Sequence, residues 1–128
     1  MAKLAISFRD LEVYKISMEA AMDVRSLALS FPASEKFSLS DQITRSSRSV
    51  CANIAEAWHK RRYRKAFIAS LNVAEGEAAE TRVWLEFAFR CKYLDQNNFE
   101  SLDDRFDHIC RMLHRMTQTA EKWTRSGN

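Results

Sequence analysis

Three kinds of residue in this chain could do chemistry. The first is Glu56-x-x-His59, the spacing that puts a carboxylate and an imidazole on one helical face and, in helical bundles that hold two metals, recurs on a second helix with inward glutamates on the other two. No second Glu-x-x-His occurs here. His59 also stands at the edge of a basic run, near a helix end, so the pair reads as a solvent-edge histidine beside a capping or salt-bridged glutamate. No metal and no cofactor are expected.

The second kind is the nucleophiles and their bases. Cys51, Cys91 and Cys110 are three cysteines, widely separated, with no C-x-x-C pair. They suit buried thiols better than a disulfide framework or a zinc site. Only Cys110 has a nearby histidine, His108, two positions away and on a different face, so no Cys–His catalytic arrangement is evident. Asp104 with His108, and Asp107 with Arg111, are four apart and read as surface pairs on one helix. His114 lies six positions from His108, on the opposite side, and cannot share a metal with it. No glycine-rich phosphate loop exists. Nothing in these residues argues for an enzyme.

The third kind is cationic. From Gln42 to Ala74 there are seven Lys/Arg and one acid, a net of +6, while the other three stretches of the chain, 1–41, 75–94 and 95–128, each come to −1. Arg45 and Arg48 precede the cluster Lys60, Arg61, Arg62, Arg64 and Lys65, with Trp58 and Tyr63 interleaved. Guanidinium and ammonium groups neutralise phosphates, and aromatic rings stack on unpaired bases, so these seven cations are the candidate nucleic-acid-binding residues. The plainer reading is a solvated helix end with Trp58 in the core.

The elements that carry these residues are helical. With two Gly and one Pro in 128 residues, the turn chemistry of a β-rich fold is missing. Ser7 with Asp10 forms a capping-box pattern, and two apolar stripes follow until Pro32, predicting helix one over 8–30. Helix two, 39–60, opens at Ser38 or Ser40 and carries Leu39, Ile43, Val50, Ile54 and Ala57. Helix three, 64–92, has the heptad seam Phe67, Leu71, Ala74, Ala78, Thr81, Leu85, Ala88. Gly76 inside it predicts the close approach of a neighbouring backbone. Asn97 with Glu100 predicts the start of helix four, 97–124, whose seam from Phe99 to Trp123 alternates steps of three and four.

Four helices of this length with short connectors predict one all-α domain, an antiparallel up-down-up-down four-helix bundle. Helix one has an extra stripe, and helix three adds Val73, Trp84 and Phe87 off its seam. Surplus apolar stripes imply a second protomer, or simply a helix more enclosed than its neighbours. The opening residues lack an apolar stretch of signal-peptide length, and no run approaches the ~18 apolar residues of a membrane span, so a cytoplasmic protein without membrane contact is expected.

The segments "SVCANIAEAW" and "AFIASLNVAEGEAAETRVWLEFAFRCKYL", with the opening "FRDLEVYKISMEAAMDV" and the connector "FPASEKFSLSDQITRSS", resemble the four-helix-bundle family of the 23S rRNA intervening-sequence protein. The resemblance covers about residues 8 to 94, and Asn53, Glu56, Gly76 and Glu80 are among the matched positions. Cys51 replaces a usual Pro, Ala57 a usual Gly, and His59 falls where Gly is frequent, which predicts a straighter second helix. The resemblance implies a homopentameric barrel and kinship with the accessory protein of diversity-generating retroelements, a basic bundle thought to hold a reverse transcriptase and nucleic acid. It implies structural roles for Asn53, Glu56, Gly76 and Glu80, with Asn53 and Glu56 at helix ends or against a neighbouring protomer. The expected partners are therefore another copy of the chain and RNA or DNA. A partner enzyme bound through the basic turn between helices two and three is the alternative.

Overall fold

The computed structural model describes residues 4–124. Four helices, α1 (Glu12–Ala28), α2 (Leu39–His59), α3 (Arg64–Arg90) and α4 (Gln96–Gln118), are joined by short connectors, with single 3-10 turns at Phe8–Asp10, Ala33–Glu35 and Ala120–Lys122. They form an antiparallel four-helix bundle, in which α2 and α3 share the largest interface and α1 and α4 the smallest of the neighbouring pairs. Among the described residues no helix is long and apolar enough to cross a membrane.

The seams are the predicted ones. All seven positions from Phe67 to Ala88 are buried, as are Leu102, Phe106, Ile109, Leu113, Met116 and Ala120 on the α4 side. Between α2 and α3 the core is small and hydroxylated. Ser46 Oγ and Thr81 Oγ1 lie 2.8 Å apart, and Thr81 Oγ1 also donates to the Glu77 carbonyl at 2.9 Å. Small side chains let these two helices approach closely, and the buried hydroxyls of Ser46, Ser47 and Thr81 each have a partner. α2 runs unbroken through Cys51 and Ala57, where a proline at 51 would have removed a backbone donor.

The helix boundaries depart from the sequence expectation in instructive ways. Helix one does not start at Phe8. The capping box forms, with Arg9 N–H donating to Ser7 Oγ and Ser7 N–H to Asp10 Oδ2, but it closes a single 3-10 turn. Leu11 then adopts an extended conformation that carries its side chain into the core before α1 begins. At the start of α2, Ser38 holds the N-cap position but its hydroxyl donates to Glu35, and Glu35 Oε1 accepts the Leu39 N–H at 3.3 Å. These bonds and a third from Tyr93 hold the Glu35 carboxyl below its ordinary range, and the same bond pushes the Tyr93 phenol up to about 12.

Helix four is capped by Asp95, whose Oδ1 accepts the Asn98 N–H at 2.8 Å, and not by Asn97 with Glu100. A carboxylate at the N-cap meets the helix dipole favourably, and Asn97 already lies inside the first turn. The helix stops at Gln118, where the Thr119 hydroxyl bonds back to the Arg115 carbonyl, and a 3-10 turn then returns Ala120 to the core. α3 ends at Arg90 with a Schellman pattern. Lys92 takes the left-handed conformation (φ 66°), its N–H donates to the Phe89 carbonyl, and the Tyr93 N–H donates to that of Ala88.

Two expectations about packing are revised. The second stripe of helix one is largely consumed inside the protomer, because α1 is enclosed by both α2 and α4: Val13, Ala20, Val24 and Phe31 are buried. Gly76 has no close neighbour, since a Cβ built there would meet nothing within 4 Å. The glycine faces outward from α3, on the side away from the intramolecular seam.

Candidate nucleic-acid interface

The antiparallel topology gathers the start of α1, the end of α2, the start of α3 and the end of α4 at one end of the bundle. Phe8 and His59 rings meet at 6.2 Å there, and Arg64 Nε donates to Thr124 Oγ1 at 3.0 Å. Residues 8–15, 56–68 and 111–124 carry ten Lys/Arg against four Asp/Glu, a formal +6 in a chain whose total is +3. Arg9, Lys15, Arg111, Arg115 and Lys122 join this end from α1 and α4. They are scattered in sequence, so only the helix pairing reveals that they belong with the basic turn.

Within the turn the cations are not equivalent. Lys60 Nζ pairs with Glu56 Oε1 at 2.9 Å, so the glutamate of the Glu-x-x-His pattern is engaged by its i+4 neighbour. The Arg61 guanidinium lies 3.4 Å from the centre of the Trp58 ring, and its Nε donates to the Trp58 carbonyl at 2.8 Å. Trp58 itself is 6 % exposed, so it belongs to the core and serves as the floor under Arg61 instead of a surface for bases. Arg62 and Lys65 are exposed on either side of Tyr63, whose ring is about half exposed (51 %). Two exposed cations with an accessible ring between them form the part of the turn best suited to a phosphate backbone.

Arg45 and Arg48 do not reach this end. They precede Lys60 by 15 and 12 residues on one straight helix, roughly 22 and 18 Å along its axis at ~1.5 Å per residue. Arg48 lines a surface hollow with Arg25, Lys36 and Asp41 toward the opposite end, and the charge of Arg45 acts on Glu80. A run of like charge in sequence is thus split by helix length into three places.

Elsewhere the polar clusters are structural. Arg82 on α3 bonds Asp103 at 2.8 and 3.1 Å and Asp107 at 3.0 Å on α4, and Asp107 also takes Arg111 at 3.2 Å. The expected Asp107–Arg111 pair is therefore one arm of a network across two helices. Burial pushes the Cys51 thiol up to about 11 and raises that of half-buried Cys110, which keeps both protonated and unreactive near neutral pH. Among the described residues no group of three His, Cys, Asp or Glu could hold a metal ion.

The remaining signature positions lie on one outward face of α2 and α3. Asn53 Nδ2 donates to the Ser49 carbonyl and hydroxyl at 2.8 and 3.0 Å. A hydrogen bond to Glu77, followed by partial burial and the Glu77 charge, raises the Glu80 carboxyl, while Arg45 opposes the shift. A carboxyl raised in the folded state stabilises below its ordinary range and loses that contribution as pH climbs through the raised value. Glu80→Gln should therefore raise the melting temperature at pH 7 and match the parent near pH 4, checked by thermal melts across that range.

Comparison places these observations in a family. The family described as 23S rRNA-intervening sequence protein matches residues 9–115. A crystal structure at 1.70 Å resolution of a protein with unknown function from the S23 ribosomal protein family of Bacteroides thetaiotaomicron VPI-5482 superposes with a TM-score of 0.75 at 34% sequence identity, over 83% of this chain and 95% of that one. No curated protein matches. With the same helical bundle over most of both chains and a family match spanning all four helices, this chain belongs to the 23S rRNA-intervening sequence protein family.

Proposed function

We propose that the protein is a non-enzymatic, self-associating bundle that holds RNA or DNA on its basic end, as an accessory or scaffold protein. The observation that carries this reading is the convergence of ten Lys/Arg from all four helices on one end, with Arg62, Tyr63 and Lys65 open to solvent. In a ring with a common axis, such as the pentamer implied by the family resemblance, that end repeats around one rim and weak contacts act together. Binding of a labelled single-stranded RNA, followed by anisotropy, should fall steeply with salt. Absence of binding at about 50 mM salt overturns the reading. A protein that co-purifies and survives nuclease treatment would instead favour a partner enzyme docked on the same end.

Self-association is supported by the outer face of α3. Val73, Glu77, Glu80, Trp84 and Phe87 follow steps of four and three, a second seam outside the first. Val73 is 50% and Phe87 53% exposed, and the Trp84 indole N–H is buried without an acceptor among the described residues. Gly76 on the outward side leaves room for a helix of another copy to come close. Phe87→Glu should reduce the mass in solution, measured by light scattering, to that of one chain while the helical circular dichroism stays unchanged.

A further inference from the structure

A cavity of about 330 Å3 opens between the first turn of α1 and the C-terminal part of α4 with the turn that follows it. This is the size of the smaller sites that take small molecules. Its floor is apolar: Leu11, Val13 and Met116 are buried, and Met112 and Trp123 are half-buried. One rim is a polar ridge on α4, formed by His108 and the two guanidinium groups of Arg111 and Arg115 at steps of three and four. Facing it is one carboxylate, Glu12. Arg111 already shares Asp107, at 3.2 Å, whereas Arg115 is exposed at the mouth. None of the cations of the α2–α3 turn lines this cavity, although Arg111 and Arg115 belong to the same basic end of the bundle.

An apolar floor beneath a predominantly cationic edge selects for a molecule with the opposite polarity pattern. Thioether sulfurs pack well against aromatic ring edges, and two methionines with a tryptophan give a floor that adapts to a flat ring. Guanidinium groups recognise a planar carboxylate through paired, charge-assisted hydrogen bonds. We propose that this cavity binds a small aromatic carboxylate, its ring against Met112, Met116 and Trp123 and its carboxylate on Arg115 and Arg111. Glu12 at the mouth opposes the anion and sets how tightly it is held.

The methionines provide the readout. In the full chain labelled with 13C-methyl methionine, titration with 3-phenylpropionate should shift the Met112 and Met116 methyls saturably and leave Met18 and Met22, on the exposed side of α1, in place. The neutral 3-phenylpropanol, with the same ring and no charge, should bind at least about tenfold more weakly. Arg115→Leu should weaken 3-phenylpropionate by a similar factor, Glu12→Gln should tighten it, and Lys65→Glu should leave it unchanged. The proposal is overturned if no saturable shift occurs, if the alcohol binds as well as the acid, or if Met18 and Met22 move together with Met112 and Met116. The acid–alcohol comparison on the unaltered chain decides the matter even where Arg115→Leu fails to fold.

Discussion

Reversing Arg62 and Lys65 together to glutamate should lower affinity for single-stranded RNA by at least about tenfold at low salt and flatten its salt dependence. Each phosphate contact removed takes roughly 0.7 from the slope of log affinity against log salt on a single strand, so the pair should reduce it by about 1.4 per protomer engaged. The choice of these two residues comes from the geometry. Arg61 is seated on Trp58, Arg64 bonds Thr124, and Lys60 holds Glu56, so altering any of these three disturbs local structure as well as charge. Arg62 and Lys65 are exposed, and their reversal should leave helicity and melting temperature nearly unchanged. Reversing Arg25 and Arg48 together to glutamate, toward the opposite end, is the charge-matched control and should have little effect. Equal losses from the two double reversals would mean that overall charge, and not the basic end, governs binding.

Phe106→Ala should be the most damaging single change to the fold, lowering stability by about 3–5 kcal/mol. Phe106 is fully buried on the cleanest seam of the chain, with Leu102, Ile109 and Leu113 buried on the same side of α4. Truncation there removes transfer free energy and leaves a cavity that a rigid helical bundle fills only in part. For a chain of this size each kcal/mol corresponds to roughly 3–5 °C in melting temperature, so a fall of about 10–20 °C is expected in a thermal melt. A drop under about 5 °C would mean that the site collapses around the missing ring. The contrast with Phe87, which is half exposed on α3, separates the core seam from the outer one: Phe87→Glu should change mass in solution more than protomer stability.

The fold was legible because each core seam repeats at helical spacing, a property of the chain alone. Leu102, Phe106, Ile109 and Leu113 are buried where the three–four alternation puts them, and so is every position from Phe67 to Ala88 on its seam. The helix ends were less legible, since several local groups compete to cap the same donors. Glu35 outcompetes the Ser38 hydroxyl at α2, Asp95 displaces the Asn97–Glu100 box at α4, and a capping box at Ser7 caps only one 3-10 turn. Gly76 is open within the protomer for a different reason. A glycine on a helix signals possible close approach but not from which side, and here the open side faces away from the protomer.

The candidate site divides along the same line. Sequence alone determined the four helices, their antiparallel order and the presence of a basic turn, because periodicity, short connectors and local charge are all encoded over a few residues. Only the tertiary structure decided which cations stand together. Arg45 and Arg48, close to the turn in sequence, are carried away by the rise of α2, whereas Arg9, Arg115 and Lys122 are brought to it from the far ends of other helices. It also decided that Trp58 lies beneath Arg61 and that a cavity with a cationic edge opens between α1 and α4. The first depends on the turn that closes α2, and the second on how closely two helices distant in sequence approach each other, so neither could be read from spacing.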